Sequence, residues 1–257
     1  MSVYEHFRRE ERPIIDHFLD MKDQVSRYYV SKLTDFLDPR QQKILRSVMG
    51  GDQETTLSLS GGYAEAERKR ALILPPYSEV QDQDFELSCI EVDYPARFAD
   101  LSHAQLLGAL LGTGIVRSKL GDLIVSDGRI QFIAAREVEN FLLMNLTSVG
   151  KTGVICRKID QTSLIHSGEN WQEHEGTVAS LRLDAVMAEI YHLSRSKVSE
   201  LVERGMAKVN WQIADRRDFY IEDGDTLSLR GHGRSKIIAI DGLTKKNKIR
   251  LRYGKLK

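Results

Sequence analysis

The segment that most limits what this chain can fold into is Ser194-Arg195-Ser196-Lys197-Val198-Ser199-Glu200-Leu201-Val202-Glu203-Arg204-Gly205. Ser194 suits a helix N-cap, and Gly205 suits the left-handed position just past a helix end. Val198, Leu201 and Val202 fall on one face between them. Upstream, Leu181-Arg182-Leu183-Asp184 opens another helix, whose apolar face is Leu183, Val186, Met187 and Ile190. The two helices are separated by a break at His192-Leu193. Ala207-Lys208-Val209-Asn210, an Asp223-Gly224-Asp225 turn and Thr226-Leu227-Ser228-Leu229-Arg230 then alternate as short strands and turns. A compact helix pair over a small sheet is expected.

Arg195 and Lys197 are placed against helix electrostatics. A helix N-terminus carries about half a positive charge, so each cation there costs a few tenths of a kcal/mol, roughly. An anion would complete the arrangement, because free N–H groups at a helix start bind phosphate. Ser194 and Ser196 add hydroxyls to the same spot. The charge distribution agrees. Residues 177–257 hold 17 Lys and Arg against 10 Asp and Glu, a balance of +7. The rest of the chain holds 20 against 27, so the zero net charge hides two opposite ends. Such asymmetry points to a polyanion partner for the basic end. In Lys248-Ile249-Arg250-Leu251-Arg252-Tyr253 the alternation is strict, so a strand there shows one basic and one apolar face.

The run from Arg182 to Asn210, followed by residues 222–234, resembles the S4 RNA-binding domain. The matching features are the Arg-Leu-Asp start, the Ser-Arg-Ser-Lys cap, the glycine-ended second helix and the Gly-Asp before the last strand. The likeness continues upstream in Gly61-Gly62-Tyr63, Ala66-Glu67-Arg68-Lys69-Arg70, residues 107–117 and Gly121-Asp122, and downstream in Thr244-Lys245-Lys246. Over almost the whole chain the sequence resembles the YlmH family of bacterial S4-domain proteins. That resemblance implies a cytoplasmic, non-enzymatic factor that binds the large ribosomal subunit together with tRNA. It also implies a role in rescuing or completing stalled nascent chains, and it carries an association with cell division.

The expected fold class is α+β in three parts. Residues 1–67 read as a helical domain, from Ile14, Ile15, Phe18, Leu19, Met21 and Val25 and from an Asp38-Pro39 helix start. Residues 68–160 read as a ferredoxin-like or RRM-like domain of order ββαββαβ, whose first strand is Ala71-Leu72-Ile73-Leu74. Residues 161–179 read as a polar linker, and 180–257 as the S4 domain with its basic last strand.

The RNA contacts expected are Arg182, Ser194, Arg195, Ser196, Lys197, Lys208, Arg230, Arg234 and Lys236. A second contact set is Arg68, Lys69 and Arg70 with Lys248, Arg250 and Arg252. The partners that the resemblance implies are large-subunit rRNA and tRNA on the ribosome, and no membrane, small-molecule substrate, cofactor or metal is expected. Cys89 and Cys156 are too far apart for paired ligand spacing and read as buried thiols. Val149-Gly150-Lys151-Thr152-Gly153 lacks the leading glycine of a phosphate-binding loop, since Asn145 stands there. Arg182-Leu183-Asp184 also matches the catalytic triplet of pseudouridine synthases. An RNA-modifying enzyme and a cell-division accessory protein are therefore the two rival readings.

Overall fold

The computed structural model describes residue 7 and residues 9–50, 54–126, 128–165 and 171–256. Gly51, which the sequence places with Gly50 at a helix end, and Asp127, which it places in a Ser126-Asp127-Gly128 turn, lie outside the described residues. The chain forms two compact units, residues 1–167 and 168–257.

The first unit opens with α1 (Arg12–Tyr28), which buries Ile15, Phe18, Met21 and Val25 along one stripe. After β1 (Lys32–Leu37), Asp38 caps α2 (Pro39–Met49): its carboxylate accepts from the Gln41 N–H, and the Gln41 side chain accepts from the Asp38 N–H in return. Such a box satisfies two otherwise unpaired donors at the helix start. β2 (Thr56–Ser60) and β3 (Lys69–Leu74) complete a three-stranded sheet of order β1-β3-β2. Ile44, Leu45 and Val48 of α2 and Ala71 and Ile73 of β3 meet the α1 stripe in one core.

This corrects the helical reading of residues 1–67. The segment is a sheet with two helices, and the boundary at 67/68 would cut off its central strand. β3 is buried along nearly its whole length because both its faces are covered: Ala71 and Ile73 pack on the helices, and Leu72 and Leu74 on Phe85. A continuous apolar run has no alternation to say which sheet it joins. The Ala71–Leu74 run therefore does not belong to the second sheet.

That second sheet holds β4 (Leu87–Asp93), β5 (Leu120–Ser126), β6 (Arg129–Ala135) and β9 (Ile155–Ile159). α3 (His103–Gly112), α4 (Glu139–Asn145) and the small hairpin β7 (Ser148–Val149) and β8 (Thr152–Gly153) lie between its strands in sequence. The strand order is β5-β6-β4-β9 with every pair antiparallel. With helices after β4 and β6, that is the split β-α-β arrangement. Ile90, Val92, Ile130 and Phe132 pack with Leu106, Leu110 and Leu142 of the helices. On the opposite face Cys89, Ile124 and Ile133 pack with Phe36 of β1 and with Leu164. Gly121 permits this, since a Cβ there would stand 2.7 Å from the Phe36 ring.

In the second unit β10 (Trp171–Val178), β11 (Ala207–Val209), β12 (Gln212–Ile213), β13 (Thr226–Leu229), β14 (Gly233–Leu243) and β15 (Ile249–Leu256) form one sheet. Its order is β10-β15-β14-β13-β11-β12. The expected linker of 161–179 is thus corrected over 171–178: β10 pairs with β15 along eight residues. Its burial is low and its side chains mostly polar, so it carries no apolar periodicity to read. α5 (Leu183–Tyr191) and α6 (Arg195–Glu203) cover one face of the sheet. Leu183, Val186, Val198 and Val202 pack there with Val209, Leu227, Ile237, Leu251 and Tyr253.

Candidate nucleic-acid interface

The start of the α5–α6 pair is organised around one buried carboxylate. The Asp184 side chain is 6% exposed. It accepts from Arg182 Nε at 3.1 Å and Nη2 at 3.4 Å, and from Arg195 Nη2 at 2.8 Å. Burial opposes the charge on Asp184, but the hydrogen bonds and charges of Arg195 and Arg182 outweigh it. Its pKa lies below the usual carboxylate range. The two arginine side chains are held at one end by Asp184 yet remain 34% and 53% exposed. Arginine presents five donors in a planar fork, and the Asp184 contacts leave part of each fork facing solvent.

α6 begins one step away. Ser194 Oγ accepts from the Lys197 N–H at 3.2 Å, and the Ser194 and Ser196 hydroxyls lie 3.0 Å apart. Lys197 Nζ reaches Glu200 at 2.9 Å, and Glu200 also holds Arg204. The sequence argument needed an outside anion to offset Arg195 and Lys197. The fold supplies internal ones, Asp184 and Glu200. The Lys197–Glu200 pair is exposed and screened by solvent, so it yields readily to a phosphate.

The other expected contacts fall elsewhere on the unit. Register places Lys208, Ser228 and Arg234 in one row across β11, β13 and β14, with Lys236 opposite Thr226 in the next. Their apolar neighbours Val209, Leu227 and Ile237 point to the helices. Lys208, Arg234 and Lys236 therefore lie on the face away from α5 and α6. Arg230 is exposed just past β13. On β15 the alternation holds: Leu251 and Tyr253 are buried, and Arg250 and Arg252 are exposed. Arg252 donates to Asp241 at 2.9 Å and pairs in register with Glu175. Lys248 is exposed just before β15.

Two of the three upstream candidates are corrected. Arg68 donates to the carbonyls of Leu120 at 3.0 Å and Phe36 at 2.9 Å. Arg70 is buried and donates to the carbonyls of Thr34, Phe85 and Glu86. Burial lowers the pKa of both. Both groups hold backbone; Arg70 is buried, and Arg68 is partly buried with its Nε and one Nη committed to carbonyls. Lys69 is half-buried and reaches the Ala64 carbonyl. Beside them Asp122 accepts from the Tyr63 hydroxyl and from the N–H groups of Glu67 and Arg68, at 2.7 to 2.9 Å. The Gly61–Arg70 motif is thus a staple within the first unit.

Among the described residues, the split β-α-β sheet lacks the stacking aromatics that RRM modules use. Phe132 faces the helices and is fully buried. The open part of the other face carries Glu91, which holds Arg129 at 2.7 Å and Arg157 at 3.4 Å. Gly150 and Lys151 lie in the β7–β8 turn, where Gly150 has a φ of 61°, so they open no helix. Cys89 and Cys156 are free and buried, and burial pushes each thiol up to about 11. Among the described residues no cluster of His, Cys, Asp and Glu could hold a metal, and no helix is long and apolar enough to cross a membrane.

One group escaped the sequence reading. Residues 215–220, Asp-Arg-Arg-Asp-Phe-Tyr, run alongside the start of α5. The Leu183 N–H donates to the Phe219 carbonyl at 2.7 Å, and the Asp184 N–H to the Arg217 carbonyl at 3.1 Å. Arg216, Arg217, Phe219 and Tyr220 are all exposed there. The available signal was two arginines beside two aromatics in a segment without periodicity.

Comparison with known proteins bears on both units. A family model described as "YlmH, N-terminal" matches residues 10–78, and one described as "Putative RNA-binding domain in YlmH" matches 80–163. The chain is 42% identical over 256 residues to a Bacillus subtilis (strain 168) protein named "Ribosome-associated protein quality control protein P2", covering all of this chain and 99% of that one. A solved structure named "Cell division protein ylmH from Streptococcus pneumoniae" is 30% identical, with a TM-score of 0.54. The match covers 64% of this chain and 99% of that one.

Proposed function

The chain belongs to the YlmH family, and from that premise we propose that it grips structured RNA on the ribosome and performs no reaction. The observation that carries this reading is the arginine pair Arg182 and Arg195, oriented by the buried Asp184 and open to solvent. Fixed, exposed guanidinium forks beside a helix start match the geometry of phosphate oxygens. Phosphate contacts set position and affinity, and the shape of the RNA sets specificity. The name of the Bacillus subtilis relative supports the ribosome as the setting and quality control of translation as the process. On this reading the RNA is that of the large subunit together with tRNA, and the protein works in the cytoplasm. The Arg182-Leu183-Asp184 triplet does not favour base modification, because the Asp184 carboxylate is buried and already accepts from two arginines.

Sucrose-gradient sedimentation of tagged wild type beside Arg195→Ala/Lys197→Ala tests the proposal. In that variant Arg182 stays on Asp184, so no buried carboxylate is orphaned. Wild type should run with the large subunit at low salt and the variant should stay at the top. Wild type remaining at the top would remove the ribosome from the reading. The Streptococcus pneumoniae relative's name supports a second reading, a division accessory protein. Association with division proteins that survives ribonuclease would favour it.

A further inference from the structure

Phe219 and Tyr220 are neighbours in sequence and both open to solvent, 45% and 67% exposed. Single exposed apolar residues are ordinary on a protein surface. These two differ because the backbone that carries them is fixed. The Phe219 N–H donates to the Arg216 carbonyl, and the Phe219 carbonyl accepts from the Leu183 N–H. Tyr220 forms a bridge with Arg182, and the Ile221 N–H donates to the Leu181 carbonyl at 2.9 Å. Ile221 itself is buried in the core. The aromatics thus stand on a segment whose backbone is laced to the start of α5.

Their surroundings identify the partner. The same segment carries Arg216, held by Asp218, and the exposed Arg217. Arg182 and Arg195 meet at Asp184, whose N–H is bound to the Arg217 carbonyl. Four arginines face three acids here, Asp184, Asp215 and Asp218, and one of the three is buried under its partners. An apolar protein surface does not call for such a charge pattern. An aromatic pair beside phosphate-binding arginines matches RNA whose bases are out of the helix, since a side chain stacks only on a base face that is free.

We infer that Phe219 and Tyr220 form a stacking platform for unpaired nucleobases, next to the arginines that hold the flanking phosphates. The protein then favours a loop or bulge over a plain duplex. This rests on the RNA-gripping reading above, and it adds which part of the RNA is recognised.

The probes are a fluorescein-labelled RNA hairpin with an unpaired loop and the same stem as a blunt duplex. Both are titrated with the full chain. Stacking of a single base on one ring already shifts affinity by roughly tenfold, so a preference for the hairpin of about tenfold or more is expected. Phe219→Ala/Tyr220→Ala should lower hairpin affinity to the duplex level and leave duplex affinity unchanged. Phe219→Leu/Tyr220→Leu keeps apolar bulk and should lose the preference too. Phe219→Tyr/Tyr220→Phe should keep it. An alanine pair that binds the hairpin like wild type overturns the platform and leaves the arginine site standing. Wild type that binds neither probe overturns the RNA-gripping reading and the platform with it. Intact hairpin binding combined with lost sedimentation on purified large subunits would give the aromatics to a ribosomal protein and overturn base stacking.

Discussion

The staple around β3 in the first unit and the start of α5 in the second use arginine in opposite ways. In the first, Arg68, Arg70 and Arg117 point inward and donate to main-chain carbonyls. Burial lowers all three pKa values, that of Arg117 to about 10. In the second, Arg182 and Arg195 share a buried carboxylate and keep their outer edges wet. A guanidinium that meets carbonyls has its donors occupied and holds chain segments together. One that meets a buried carboxylate is aimed, and the rest of its fork is left for an anion. Residue type and charge are the same in both; the partner decides the role.

The sharpest way to break this contrast is Arg70→Ala. It leaves the Thr34, Phe85 and Glu86 carbonyls without their donor in a buried site. Hydrogen bonds to charged groups contribute roughly 1.5–3 kcal/mol each. We expect a loss of about 3 kcal/mol or more in urea denaturation, with RNA affinity of the folded fraction unchanged. Weaker binding at unchanged stability would place Arg70 with the binding arginines.

Asp184→Asn comes next. It keeps the shape and removes the charge that holds two forks. At neutral pH the expected cost is about 2 kcal/mol, together with weaker RNA binding as the forks lose their aim. The folded pKa of Asp184 is depressed. Its stabilisation is therefore fully present above the unfolded value of about 3.9 and is lost as pH falls through the lower folded value. Denaturation at neutral and acid pH should show the difference between wild type and variant closing in acid. A difference that stays constant with pH would remove the charge from the account.

Arg195→Ala/Lys197→Ala should behave in the opposite sense to Arg70→Ala. Stability should fall by less than in Arg70→Ala, roughly 1.5 kcal/mol, because the buried Asp184 loses its Arg195 bond but keeps Arg182. The slope of log affinity against log salt should fall by roughly 2, one unit for each lost phosphate contact. An unchanged slope would take both cations off the RNA. Lys69→Ala should do least, with stability within about 0.5 kcal/mol and affinity unchanged. A measurable loss of affinity would return the Arg68–Arg70 segment to the interface.

Legibility varied along the chain for physical reasons. The α5–α6 pair, its Ser194 cap and the alternation of β15 were readable, as were the strands and helices of the split β-α-β sheet. The N-terminal sheet was not. β1 lies between two helices and shows only a short, broken alternation in Lys32–Leu37. β2 alternates but is too short to stand out, and β3 is apolar throughout. β10 was hidden because most of its side chains face water. Among the site residues, Arg195 was legible from its place at a helix start, and Arg182 from the Arg-Leu-Asp opening of the S4-like run. Arg216, Arg217, Phe219 and Tyr220 were missed because they join the site through main-chain bonds to Leu183 and Asp184, more than thirty positions away.

By itself the sequence determined the local matters: where helices start and stop, which faces are apolar, and that the basic charge gathers in the last third. Those depend on neighbours within a turn or on a two-residue alternation. Tertiary structure alone decided which sheet β3 joins, that Phe36 covers the second sheet, and which arginines face inward. A guanidinium's role depends on whether a carbonyl or a carboxylate from a distant strand or helix comes within hydrogen-bond reach, and only the folded chain brings those groups together.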